Sequence, residues 1–76
     1  MKIEVECYAG AKADERPLRF SLGDQHYKVN EVVDQWYGPE HTFFKVRADD
    51  GNLYILRHAI APEDVWELIS FRRDLP

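Results

Sequence analysis

Seventy-six residues allow one domain, spanning 1–76, and no second core. A composition of 45% hydrophobic and 32% charged residues excludes a disordered chain, and a formal charge of −4 argues against a uniformly basic nucleic-acid binder. The longest apolar run, Leu53-Tyr54-Ile55-Leu56, is too short to cross a membrane.

In chain order, KIEVEC alternates cleanly. Ile3, Val5 and Cys7 fall on one side and Lys2, Glu4 and Glu6 on the other, as in a half-buried strand. The first residues lack the apolar stretch of a signal peptide, and Cys7 is the only cysteine. Both observations predict a reduced, cytoplasmic location. Residues 8–16, YAGAKADER, are small and charged and read as a loop.

PLRFSLGDQHYKV reads as a hairpin. Gly23-Asp24 suits a two-residue type II′ turn with glycine supplying the positive φ. That turn places Leu18, Phe20, Leu22, Tyr27 and Val29 on one face and Arg19, Ser21, His26 and Lys28 on the other. Past Val29 the alternation slips, since Val32 and Trp36 share one parity and Val33 and Tyr37 the other. A bulge or bend near Asn30–Val32 would restore it. The Gly38-Pro39-Glu40 stretch then ends the strand.

TFFKVRADDGNLYILRH reads as a second hairpin, with Phe44, Val46 and Ala48 facing one way and Phe43, Lys45 and Arg47 the other. Two turns compete. A type I′ turn at Asp50-Gly51 sets Leu53 and Ile55 beside Val46, whereas Asp49-Asp50-Gly51 with a glycine bulge sets Tyr54 and Leu56 there. In the tail, the 63–72 segment suits a strand by its Val, Trp, Ile and Phe content; a short helix is the alternative. The predicted fold is mostly β: a small curled antiparallel sheet or barrel of about six strands.

The stretches ECYAG, KADERP, VVDQWYG, FKVRADDGNLYILRH and WEL together resemble a family of small uncharacterised bacterial proteins, a domain of unknown function. The resemblance covers most of the chain. It implies a bacterial origin and a terminal strand at WEL, and it brings no activity and no site residues.

No catalytic or metal signature is present. Cys7, His26, His41 and His58 are scattered without metal-ligand spacing, and Cys7 has the parity of a buried hydrophobe. Asp14-Glu15 reads as solvated acids in a loop. No cofactor is expected, and an enzyme working through the 8–16 loop ranks last of the functional readings.

Charge placement says more. Arg19 falls opposite Lys28, and Lys45 and Arg47, joined by Arg57 in the glycine-bulge register, lie opposite the presumed core parity. Acids (Asp14, Glu15, Asp24, Asp49, Asp50, Glu63 and Asp64) gather in the loops. These five cations would either form a cationic sheet face for an anionic partner or be neutralised by Glu4 and Glu6 across the strands. Among the aromatic residues, Phe44 and one of Trp36 or Tyr37 are expected in the core, and Phe43 on the surface.

Two functions follow. The first is a non-catalytic binding module, a protein-interaction or accessory subunit contacting its partner through Trp36, Tyr37, Phe43 and Arg57. The alternative is a nucleic-acid-binding module using Arg19, Lys28, Lys45, Arg47 and Arg57.

Overall fold

The computed structural model describes residues 2–7, 16–59 and 65–73. They form six strands: β1 (Lys2–Cys7), β2 (Pro17–Leu22), β3 (Gln25–Tyr37), β4 (His41–Ala48), β5 (Leu53–Ala59) and β6 (Trp66–Arg72). Each pairs antiparallel with the next, and β6 returns to β1, closing a barrel in sequence order. The tail is therefore a strand. Residues 60–64 and the 8–15 part of the first loop, with Asp14, Glu15, Glu63 and Asp64, lie outside the described residues.

Turn chemistry sets the hairpins. Gly23 has φ 61°, the sign its turn requires, and the β2–β3 register pairs Leu22 with Gln25, Phe20 with Tyr27 and Arg19 with Lys28. At the next hairpin, Pro39 and Glu40 form the reversal, with Gly38 N–H donating to the His41 carbonyl at 2.8 Å. In the β4–β5 hairpin the glycine-bulge turn wins. Gly51 has φ 86°, its N–H donates to the Ala48 carbonyl at 2.9 Å, and Ala48 N–H donates to the Asn52 carbonyl at 3.0 Å. Val46 accordingly pairs with Tyr54, and Phe44 with Leu56.

A Cβ added at Gly51 would meet nothing within 4 Å, so substitution there is strained by backbone conformation alone. Gly51→Ala is expected to lower stability by about 1 kcal/mol. Gly51→Asn should cost less, because Asn tolerates the left-handed region. Urea midpoints of the two variants check the order; a cost at least as large for Asn would show that side-chain crowding, not φ, is limiting.

The interior is built from one face of each strand, with the parity switching at the bulges. Ile3, Phe20, Phe44, Val46, Ala48, Tyr54, Leu56 and Trp66 form the buried cluster, with Val5, Cys7, Leu22, Tyr27, Val29, Val32 and Leu68 packed against it. Cys7 thus occupies the interior side. Phe20, Tyr27 and Tyr54 form an aromatic triangle with centroids 5.0–5.4 Å apart. Trp66 packs between Phe44 at 5.5 Å and the His58 ring at 4.3 Å.

Bulges in β2, β3 and β6 curl the sheet, and each turns one residue out of the alternation. Cys7 pairs with Pro17 while Glu6 pairs with Arg19, so Leu18 is the extra residue. Pro17 is fully buried in its place, and Leu18, expected inside, is 42% exposed. β3 carries two bulges rather than one, skipping Asn30 and Val33. β6 skips Ile69. Leu18, Val33 and Ile69 are all among the exposed large apolar residues. Closure demands this, because a sheet tight enough to enclose so small a core needs more local twist than regular pairing supplies.

Pairing is incomplete at two edges. β2 pairs with β3 through Lys28, so among the described residues β3 beyond Val29 has a strand on one edge only. β6 meets β1 only at Lys2↔Glu67 and Ile3↔Trp66, which leaves Ile69–Arg72 with β5 as its one neighbour among the described residues.

Candidate functional site

The two bulges of β3 decide where its aromatic end points. Val32, between the bulges, and Gln35, after the second, take the interior rows opposite Val46 and Phe44. Trp36 faces outward opposite Phe43, and Tyr37 lies at the far end of the strand opposite Thr42. Neither is core. Trp36 is 38% exposed and Tyr37 71%, which corrects the expectation that one of them would be buried. A glutamine takes the interior position, its Nε2 donating to the Tyr37 hydroxyl at 2.9 Å.

Phe43 does face outward, and it is half-buried rather than open. The Trp36 indole stacks on it with centroids 5.4 Å apart and planes 2° from parallel. Beneath the ring lies Gly38, where a Cβ would approach Phe43 Cε1 to 3.2 Å. The His41 ring leans on it at 6.2 Å. The stack is therefore held from below and from the side, with the indole's outer surface left to solvent.

Cross-strand register extends this stack into a row around the outside of the barrel. Trp36 pairs with Phe43, Phe43 with Arg57, Arg57 with Glu67, and Glu67 with Lys2. Arg57 Nε donates to Glu67 Oε1 at 3.0 Å, and its Nη2 donates to the same oxygen. Hydrogen bonding from Arg57 is the main cause that holds the Glu67 carboxyl below its ordinary value of 4.5. Arg57 is thus a positioned ion-pair partner beside the aromatic stack.

The five predicted cations do not form one face. Arg19 and Lys28 lie on the β1–β2–β3 sheet, and Lys45, Arg47 and Arg57 on the sheet of β3 to β6. Carboxylates interleave with them. Glu6 lies 3.5 Å from Arg19 and Glu31 3.9 Å from Arg47, and Asp34 stands opposite Lys45. Neutralisation within the sheet is real, although its agents differ from those expected. Glu6 takes part, Glu4 pairs in register with Ser21 instead, and Glu31 and Glu67 meet Arg47 and Arg57. Only the register places these two glutamates, and the bulges that set it carry no simple sequence signal.

Arg19 and Lys28 share an open depression of about 660 Å³ with Glu4, Glu6, Ser21, His26 and Asp49, where Ser21 Oγ and His26 Nδ1 are 2.9 Å apart. Three carboxylates against two fixed cations give it no anionic preference. Among the described residues no group of three or more His, Cys, Asp or Glu side chains is placed to hold a metal ion. No helix there is long and apolar enough to cross a membrane.

Compared with known proteins, the chain matches no family model, no curated sequence and no solved structure.

Proposed function

We propose that this chain is a non-catalytic protein-binding module, and that its partner is anchored on the outward Trp36–Phe43 stack. The parallel Trp36–Phe43 stack is the observation behind it. A tryptophan 38% exposed yet braced by Phe43 presents a large apolar surface that loses little side-chain freedom on contact. The Arg57–Glu67 pair, next in the same row, gives a polar rim. The interleaved carboxylates weigh against the nucleic-acid alternative, because a phosphate backbone would meet Glu6, Glu31 and Glu67 along with the cations.

The test is capture of a stoichiometric protein from lysate of the source organism, in the presence of nuclease and at high salt. Trp36→Ala should weaken that capture by about thirtyfold, a loss typical of a central aromatic anchor. The pair Lys45→Glu and Arg47→Glu should leave it nearly unchanged. Capture that survives Trp36→Ala and Phe43→Ala, or that vanishes with nuclease and salt, sinks the aromatic reading. Circular dichroism of each variant shows that the barrel remains folded.

A further inference from the structure

The barrel has two partly unpaired strand edges, and they differ. On β3, beyond Val29, bulges at Asn30 and Val33 break the line of donors and acceptors. Asp34 Oδ1 also takes the Gln35 N–H at 2.8 Å, so that donor is already satisfied by the strand's own side chain. Such devices blunt an edge against pairing.

The β6 edge lacks them past its single bulge. From Ser70 to Arg72 the strand pairs regularly with Ile55, Tyr54 and Leu53, so its backbone is extended and in register for another strand on the other side. Side chains along it are open. Ile69 and Phe71 are 45% and 50% exposed, and Phe71 leans on the Tyr54 ring at 5.1 Å, at the margin of the aromatic triangle. Arg72 and Arg73 are exposed, and neither makes an ion pair among the described residues. That contrasts with Arg19, Arg47 and Arg57, each of which has a carboxylate.

We infer that the Ile69–Arg72 edge of β6 is a strand-docking site for an extended peptide that alternates apolar and acidic side chains. The guest strand lies antiparallel to β6 along Ile69–Arg72, where among the described residues β1 does not accompany β6. Period-two alternation then sets its chemistry. An apolar residue opposite Phe71 covers the barrel margin, and an acid opposite Arg72 faces outward and meets the exposed guanidinium groups. A second copy of this chain suits the edge poorly, because β6 paired with β6 offers Arg72 no carboxylate anywhere in residues 69–73. The site lies across the β3–β6 sheet from the Trp36–Phe43 stack and does not depend on it.

The test uses two blocked synthetic peptides, one alternating Glu and Val and one alternating Lys and Val, titrated into the full chain. Amide exchange and chemical shifts are followed residue by residue. The acidic peptide should protect amides within Ile69–Arg72 and bind at least tenfold tighter than the lysine peptide. Arg72→Glu with Arg73→Glu, both surface changes, should reverse that preference. N-methylating the acidic peptide along one edge should abolish the protection. Equal binding of both peptides, protection confined to other strands, or a preference unchanged by charge reversal would overturn the inference. So would concentration-dependent protection of the same amides without peptide, which would mean that a second copy fills the edge.

Discussion

Phe44→Ala is expected to destabilise the barrel by about 3–5 kcal/mol, which is enough to leave much of the chain unfolded at 37 °C. Phe44 is 2% exposed, rests on Trp66, and sits in the interior row between Gln35 and Leu56. Little around it can collapse into the cavity, since β4 is held between β3 and β5 along its length. A domain of this length has a total stability of roughly 4–11 kcal/mol, so the loss takes a large share. Its sequence neighbour Phe43, on the outer face, should cost well under half as much when truncated. Urea unfolding followed by tryptophan fluorescence measures both. Similar losses would mean that the two rings contribute equally to the core, against the parity of β4. A mild loss at Phe43 is also what makes that position usable for testing partner binding.

The second large effect concerns the lock on the β4–β5 turn. Tyr54 is buried, and its hydroxyl donates to Asp50 Oδ2 at 2.6 Å; Asn52 N–H donates to Asp50 Oδ1 at 3.0 Å. Burial works to raise the Asp50 carboxyl, but the hydrogen bonds from Tyr54 and Asn52 outweigh it and hold it below its ordinary value of 3.8. Burial first, and then the bond to Asp50, push the Tyr54 hydroxyl well above its ordinary value of 10.0.

Each shift has a definite sign in stability. The depressed Asp50 contributes stability that is complete above its unfolded value near 4 and is lost as pH falls through the folded one; the depressed Glu67 acts in the same direction. The raised Tyr54 contributes stability that is complete below its unfolded value near 10 and is lost as pH rises toward the folded one. Tyr54→Phe should therefore cost about 1.5 kcal/mol at neutral pH, flatten the alkaline limb and shallow the acid limb. Thermal melts from pH 2 to pH 11 give the curve, and an alkaline limb unchanged in Tyr54→Phe would remove Tyr54 as its source.

Much of the architecture is legible in short stretches of the chain. Alternation in KIEVEC, the Gly23-Asp24 turn and the apolar content of the tail are local signals, and each marks a strand or reversal that the barrel contains. Two turns compete for the β4–β5 register, and packing chooses the one that sets Tyr54 and Leu56 inside with Val46. Leaving Leu53 and Ile55 on the outer face costs less, since the long side chains of Arg47 and Arg72 stand on either side of Leu53.

The candidate site is legible only in its membership. Trp36, Tyr37, Phe43 and Arg57 are conspicuous by type, yet which of them face outward depends on a count of bulges, and two in β3 act differently from one. A single bulge at Asn30 would have kept Val32, Asp34 and Trp36 in one row and turned Trp36 inward. The second, at Val33, turns Trp36 outward onto Phe43 and brings Gln35 over the core.

The sequence by itself determined the class of fold, the glycine-turn hairpins and the residue types available for contact, because turn chemistry and period-two burial act over a few neighbouring residues. Only the tertiary structure decided which aromatics face solvent, which glutamate meets which arginine and which edge is left open. Those outcomes depend on closure. Bringing β6 round to β1 forces bulges wherever the curvature is greatest, and each bulge resets the facing of every residue beyond it.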